Sequence, residues 1–192
     1  MSVEKSRKAV RMLVLVGDQI GSNCLSGGKK LSILEKFQKY GWDVTIAGVR
    51  SSVQPCPYAL KLGLAAPNID CLVDEIEDVL TFDAVSVLPG PAYSGLLQST
   101  AAMHLIRQAA ASGLVVSAWC RGVRVLAEAG VLQGKHVVGH SDDQEIIERS
   151  GGIFVGYDHP PVTDGALVTG ARSYYYRAKN ADAIKKAVDA RR

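Results

Sequence analysis

The sequence lacks the features that would place it in a membrane, on a metal ion or in an oxidising compartment. None of its apolar runs reaches the roughly 20 residues that a membrane-spanning helix requires. The first run, Met12–Val16, is too short for the apolar core of a cleavable leader. The four cysteines form no C-x-x-C pair and show no metal-ligand spacing. We therefore expect a cytoplasmic protein with reduced thiols, without a metal, a cofactor or a membrane partner.

The chain also lacks a strong charge of either sign. Its formal net charge is +3, and its clustered basic residues lie at the two ends, in 1–11 and at Arg191–Arg192. Solvated tails explain such clusters better than a nucleic-acid surface does, so we expect no nucleic-acid partner. With 47% hydrophobic and 21% charged residues, the chain has the composition of one globular domain. We place this domain at 12–192, after a basic N-terminal tail at 1–11.

Apolar runs alternate with helical patterns along the chain. Met12–Val16 and Val44–Val49 are apolar runs separated by apolar residues at helical spacing, which end at Gly41. This order predicts a β-α-β unit with two parallel strands. Further apolar runs at 84–88 and 114–119 are each followed by another helical pattern. The alternation predicts an α/β fold with a doubly wound, mostly parallel sheet between helices.

The most informative segment of the chain surrounds Cys120. This cysteine stands directly between an apolar strand and a helical pattern, with the small residues Ala118 and Gly122 two positions to either side. Small residues at this spacing permit the tight strand-to-helix turn of a nucleophile elbow. A thiol near a helix N-terminus, beside the cation of Arg121, is a favourable position for a thiolate. The pattern predicts a reactive thiol, whereas the alternative is a buried structural cysteine.

Four blocks of sequence carry a further signal. They are YGWDVTIAG at 40–48, DAVSVLPG at 83–90, SAWCRG with LAEAGVLQGK within 117–135, and VTDGALVT at 162–169. In kind and in order these blocks resemble the PfpI/ThiJ superfamily, which includes the Parkinson-disease protein deglycase. The resemblance implies a flavodoxin-like, class I glutamine-amidotransferase-like fold and a homodimer. It also implies an activity among those of cysteine hydrolases, deglycases or glyoxalases, isocyanide hydratases and redox-responsive chaperones.

Around the nucleophile the sequence departs from the pattern of that family. Members usually carry a carboxylate at the start of the first helix, where this sequence has Lys29. The second glycine of the family's Pro-Gly-Gly turn supplies an oxyanion-hole N–H, but here it is Pro91, which has none. The resemblance therefore leaves Gly90, Gly122 and the N–H of Arg121, together with Pro91, as the candidate oxyanion pocket.

Three further residues are candidates for the site. His140 falls where some family members place a histidine near the nucleophile, so it is a candidate acid or base; the alternative is an ordinary loop histidine. Asp18, at the end of the first strand, is a second candidate acid or base. Cys24 lies on the loop after that strand, which opens at the same sheet edge as Cys120. It is a candidate resolving thiol, or simply a loop cysteine.

Two classes of function stay open on these observations. In the first, the Cys120 thiolate adds to the carbon of a small carbonyl or amide substrate, and His140 or Asp18 transfers protons, as in a PfpI/ThiJ hydrolase or lyase. In the second, the protein is a non-catalytic or redox-sensing stress-response member that uses Cys120 as an oxidisable thiol. The elbow favours the first class, and Lys29 and Pro91 favour the second.

Overall fold

The computed structural model of the chain describes residues 8–25, 30–88, 90 and 93–192. The strands in this part are β1 (Arg11–Val16), β2 (Gln19–Ile20), β3 (Asp43–Gly48), β4 (Gln54–Pro55), β5 (Cys71–Leu72), β6 (Ala84–Val87), β7 (Val115–Trp119), β8 (His136–Val137), β9 (Ile153–Phe154), β10 (Val162–Asp164) and β11 (Leu167–Gly170). The α-helices are α1 (Ile33–Lys39), α2 (Pro57–Lys61), α3 (Ser94–Gln98), α4 (Thr100–Ala111), α5 (Gly122–Glu128), α6 (Gln144–Arg149) and α7 (Ser173–Asp189).

Seven strands form the central sheet, in the order β10-β11-β7-β6-β1-β3-β5. The β10–β11 hairpin is antiparallel, and every other neighbouring pair in the sheet is parallel. The predicted α/β fold with a mostly parallel sheet is therefore confirmed. From β1 the chain moves outward through β3 and β5, and it then returns to the other side of β1 at β6. The carboxyl ends of β1 and β6 thus flank the topological switch point, where sheets of this kind form crevices.

Helices cover both faces of the sheet because its central strands are apolar on both sides. In β1, Met12–Val16 is buried without interruption. Leu13 and Leu15 join the core beneath α4 and α5, whereas Met12 and Val14 join the core beneath α1 and α7. Among the described residues, no helix has the length and apolarity needed to cross a lipid bilayer.

The sequence predicts one helix over 142–149, but in the structure the first residues of this segment form a 3-10 turn. The turn spans Ser141–Asp143 and precedes α6, and the ring of His140 caps it. The Nδ1 atom of His140 accepts a hydrogen bond from the backbone N–H of Asp142 at 3.2 Å. Asp143 is fully buried at the end of the turn. The turn thereby holds an imidazole and two carboxylates close to the N-terminus of α5.

Candidate active site at Cys120

Cys120 occupies the turn between β7 and α5. Its φ of +52° lies in the left-handed region, which is uncommon for any residue other than glycine. The N–H of Cys120 donates to the carbonyl oxygen of Gly170, on the neighbouring strand β11, at 2.7 Å. At Gly122 a Cβ atom would lie 2.9 Å from the carbonyl oxygen of Val87. The turn therefore has the strained strand-to-helix geometry of a nucleophile elbow, and it requires a small residue at position 122.

The environment of the thiol differs from the prediction. Burial raises the pKa of Cys120 above that of an ordinary cysteine. A hydrogen bond from the backbone N–H of Arg121 and the charge of its guanidinium both lower the pKa, but Asp143 raises it again. Desolvation outweighs the favourable contacts, so the thiol is neutral at neutral pH. The expected effect of the helix N-terminus and of Arg121 is therefore present, but burial of the sulfur outweighs it.

Two carboxylates bind the guanidinium of Arg121 and offset part of the effect of its charge on the sulfur. Its Nη2 lies 2.5 Å from Oδ2 of Asp142, and its Nη1 lies 3.1 Å from Oδ1 of Asp143. Asp143 also lies 3.5 Å from Nη1 of Arg124. The sequence analysis missed both carboxylates, since an acidic pair there is typical of a helix start. The cation beside the nucleophile is thus partly neutralised by the turn before α6.

The pKa of Cys120 leads to a prediction for its reactivity. Alkylation by iodoacetamide is expected to accelerate about tenfold per pH unit, without a plateau below about pH 8.5, because the thiolate is the nucleophile and its pKa is raised. Asp143→Asn removes a negative charge near the sulfur and should move this profile to lower pH. Mass spectrometry of the Cys120 peptide gives the rates, and Glu145→Gln is the matched control, because Glu145 is an exposed carboxylate of α6 that pairs with Arg149. A plateau already at neutral pH in the unmodified protein would contradict the prediction.

His140 lies beside the elbow, at the start of the 3-10 turn. A Cβ atom at the preceding Gly139 would lie 3.4 Å from Cγ1 of Val123, so this backbone packs directly on α5. Because Nδ1 of His140 accepts from Asp142, the neutral ring carries its proton on Nε2. The imidazole is then a hydrogen-bond donor from Nε2. This arrangement suits a general acid better than a general base.

Tyr157 and Arg172, which the sequence analysis missed, complete the surroundings of the thiol. The ring centroids of Tyr157 and His140 lie 5.0 Å apart. Burial raises the pKa of the Tyr157 hydroxyl, and the charge of Cys120 acts in the same direction. Arg172 has a left-handed φ of +44°, and its guanidinium lies 5.9 Å from the Tyr157 ring centroid. Arg172 follows β11, so it leaves the sheet at the same edge as Cys120. Its place just after a strand is the one feature of the sequence that could have marked it as a site residue.

Comparison with known protein families shows to which family the chain belongs. Residues 11–184 match the profile of the DJ-1/PfpI family, which is nine-tenths of the sequence. The chain belongs to the DJ-1/PfpI family. The resemblance inferred from the four sequence blocks is therefore confirmed at the level of family and fold.

Individual DJ-1/PfpI relatives are distant. The ThiJ/PfpI domain protein from Brachyspira murdochii has a TM-score of 0.79 and 18% identity, covering 96% of this chain and 99% of that one. DJ-1beta from Drosophila melanogaster has a TM-score of 0.67 and 20% identity, covering 94% of each chain. At such identities the structures show the fold alone. An isonitrile hydratase from Pseudomonas putida is 33% identical over 94 residues, a match that spans 49% of this chain and only 40% of that protein.

Asp18 is paired with an arginine in this DJ-1/PfpI chain. Its Oδ1 lies 2.6 Å from Nε of Arg50, and its Oδ2 lies against Gly95. It lines a cleft of about 420 Å³ beside the ends of β3 and β5, and Cys120 does not line that cleft. A role of Asp18 as acid or base for Cys120 stays a prediction.

Cys24 lies behind the elbow and is fully buried. Burial strongly raises the pKa of its thiol; Arg177 lowers it, whereas the charges of Cys120 and Cys56 raise it. Cys24, Cys56 and Cys120 are thus three neighbouring cysteines, and each is a thiol in the structure. The pairing of Cys24 with Cys120 as a resolving thiol stays a prediction. The depth of burial makes Cys24 a slow nucleophile.

The remaining pocket residues are described only in part. Gly90 approaches the turn after β1 so closely that a Cβ atom would lie 1.9 Å from the carbonyl oxygen of Gln19. Pro91 and Lys29, the two departures from the family pattern, lie outside the described residues. In the part of the chain that is described, no group of three or more His, Cys, Asp or Glu side chains is arranged to hold a metal ion.

Proposed function

We propose that the protein is a Cys120-dependent enzyme that hydrolyses or hydrates small substrates at an electrophilic carbonyl, amide or isonitrile carbon. The observation that carries this proposal is the strained elbow, which holds Cys120 at a φ of +52° between β7 and α5. A non-glycine residue in such a conformation costs on the order of 1–3 kcal/mol, and strain of this kind concentrates at functional sites. A structural cysteine would gain nothing from this backbone conformation.

The first chemical step is addition of the sulfur to the substrate carbon. Because burial disfavours a free thiolate, the S–H bond breaks as the S–C bond forms, and the thiol proton passes to water. The carbonyl π electrons move to the substrate oxygen, where the N–H of Arg121 is a candidate oxyanion donor. His140 then protonates that oxygen from Nε2 and is reprotonated by solvent. The product of this step is a covalent thiohemiacetal or tetrahedral adduct on Cys120.

Release of the product needs a second step. With an amide substrate, the tetrahedral adduct loses its hydroxyl proton to solvent as the C=O bond re-forms and the C–N bond breaks. The departing amine takes a proton from His140, which solvent reprotonates. The thioester left on Cys120 is hydrolysed by water, which regenerates the thiol and yields a carboxylic acid. Peptides would react in the same way. With an aldehyde, water would displace the sulfur of the thiohemiacetal, so that the C–S bond breaks, a C–O bond forms, and the thiol and the aldehyde hydrate are released.

The proposal is tested with a panel of small aldehydes, amides, peptides and isonitriles. Isonitriles belong in the panel because a relative of this chain is named isonitrile hydratase. Turnover of at least one class is expected, together with a covalent adduct on the Cys120 peptide when the reaction is quenched and mapped by mass spectrometry. Absence of turnover for all four classes, with Cys120 unmodified, would overturn the proposal.

A second candidate function is redox sensing, which the proximity of Cys24 and Cys120 favours. A hydroperoxide would oxidise the Cys120 thiol to a sulfenic acid and be reduced to an alcohol or water. The Cys24 thiol would then attack that sulfur, forming a disulfide and releasing water. Because burial raises the pKa of both thiols, both steps should be slow at neutral pH and faster at alkaline pH.

Peroxide treatment followed by peptide mapping tests this second candidate. A Cys24–Cys120 crosslinked peptide is expected, and its yield should rise with pH. Cys56→Ser is the matched control and should leave the crosslink intact, because Cys56 is not needed for it. Formation of sulfinic or sulfonic acid on Cys120 without a crosslink at any pH would reject the resolving role of Cys24.

A further inference from the structure

Arg172 leaves the sheet next to the nucleophile elbow. In the parallel β7–β11 pair, Gly170 is the register partner of Trp119, the residue before Cys120. The N–H of Cys120 donates to the carbonyl oxygen of Gly170 at 2.7 Å, which ties the two strand ends together. Arg172 follows two residues later with a φ of +44°. Two strained, non-glycine residues therefore stand side by side at the carboxyl edge of neighbouring strands.

Aromatic rings orient the guanidinium of Arg172. Its Cζ lies 4.2 Å from the ring centroid of Tyr175 and 5.9 Å from that of Tyr157. Tyr157 in turn contacts the ring of His140, with centroids 5.0 Å apart. Stacking on rings holds a guanidinium in place without using its N–H donors. The N–H groups of Arg172 therefore stay available for hydrogen bonds, including those to a planar anion.

Arg172 uses fewer of its nitrogen atoms in ion pairs than Arg121 does, although the two side chains are about equally exposed. Its Nη1 donates to Oδ1 of Asp158 at 2.5 Å, and the Asp158 side chain is 74% exposed. Within the described residues this is its one hydrogen-bond acceptor, and a pair so exposed is weak. Arg121, by contrast, uses both terminal nitrogens on Asp142 and Asp143. Arg172 is thus a cation at the same sheet edge as Cys120, with donors that Asp158 does not use.

We propose that Arg172 is the anion-recognition residue of the Cys120 site, and that the substrates are small carbonyl or amide compounds bearing a carboxylate. This inference rests on the proposed function and specifies its substrate class. A single guanidinium that already has one carboxylate partner suits a monoanion better than a dianionic phosphate. Its planar fork matches the two oxygens of a carboxylate.

The position of Tyr157 constrains the substrate further. Its ring centroid lies 5.9 Å from the guanidinium of Arg172 and 5.0 Å from the ring of His140. The ring of Tyr157 therefore stands between the proposed carboxylate site and the candidate acid. A substrate that reaches both needs a spacer of a few bonds between its carboxylate and its electrophilic carbon.

Covalent labelling tests the inference without depending on turnover. N-ethylmaleimide is neutral, and 3-maleimidopropionate carries a carboxylate a few bonds from the reactive double bond. In both cases the Cys120 sulfur adds to one carbon of the double bond, and a proton from solvent is added to the other. The measured quantity is the ratio of the two rate constants, anionic over neutral, taken at the Cys120 peptide at neutral pH and low salt.

Arg172→Asn removes the guanidinium but keeps a residue that tolerates the left-handed conformation. It is expected to lower the ratio about two- to fivefold, the size of an exposed charge interaction, with little change in the N-ethylmaleimide rate. High salt should lower the ratio of the unmodified protein in the same direction. Arg50→Asn is the control at a second arginine that is ion-paired with an aspartate; it is more exposed than Arg172 and lies in the Asp18 cleft.

Three results would overturn the inference: an unchanged ratio in Arg172→Asn, an equal fall in Arg50→Asn, or a parallel loss of both labelling rates in Arg172→Asn. The last would show that Arg172 supports the thiol rather than the ligand. The outcome is separable from that of the proposed function. A ratio that depends on Arg172 without turnover rejects only the enzyme, and turnover with a ratio independent of Arg172 rejects only anion recognition.

Discussion

Cys120→Ala is expected to reduce kcat by about three orders of magnitude or more on any substrate that the unmodified protein turns over. The variant keeps the backbone N–H of Arg121 and the donor of His140, but it cannot form the covalent adduct. Steady-state kinetics of the two proteins with the same substrate measures the effect. A variant that retains more than about a tenth of the activity would show that Cys120 is not the nucleophile.

Stability measurements on the same position separate chemistry from folding. Since Cys120 has a φ of +52°, glycine should fit this turn better than any L-residue. Cys120→Gly is therefore expected to be more stable to unfolding than Cys120→Ala by about 1 kcal/mol, and equally inactive. Thermal or denaturant unfolding of the pair gives this difference. If alanine were as stable as glycine, the elbow would not be strained.

Gly90→Ala is expected to lower the free energy of unfolding by about 3 kcal/mol, because the added Cβ overlaps a backbone atom. That atom would lie 1.9 Å from the carbonyl oxygen of Gln19, far inside van der Waals contact. Neither backbone can withdraw easily, since Gly90 lies just beyond β6 and Gln19 begins β2, close to the end of β1, and β1 and β6 are hydrogen-bonded neighbours. Urea unfolding monitored by circular dichroism measures the loss.

Gly134→Ala is the matched control for this prediction. Gly134 has a φ of +69° but no atom within 4 Å of a Cβ placed there. Alanine at 134 incurs only the backbone term, on the order of 1–2 kcal/mol. If Gly90→Ala were no more destabilising than Gly134→Ala, this result would contradict the close approach of Gly90 to the carbonyl oxygen of Gln19.

The fold could be predicted from the sequence because its central strands are buried on both faces. A strand such as Met12–Val16 is then a continuous apolar run, and runs of this kind separated by helical patterns have few possible arrangements. The elbow could be predicted for a local reason. A cysteine between a strand and a helix needs small neighbours, and Gly122 is visible in the sequence itself.

The chemistry of the site depends on contacts that no local pattern records. The pairing of Arg121 with Asp142 crosses 21 residues, and the ring contact of His140 with Tyr157 joins two irregular segments. Desolvation raises the pKa of Cys120, and its extent depends on how the loops pack over the sulfur. Asp18 followed β1 as expected, but Arg50 decided where its carboxylate lies. The homodimer and the cytoplasmic location stay predictions.

Asp142 binds two parts of the site at once. Its backbone N–H donates to Nδ1 of His140, and its carboxylate pairs with Arg121, the residue after the nucleophile. The candidate acid and the elbow are therefore energetically coupled through a third residue that touches neither substrate nor sulfur. Residues that share a partner in this way do not have additive mutational effects. The loop before α6 and the turn after β7 thus behave as one thermodynamic unit, in which the alignment of the acid and that of the nucleophile change together.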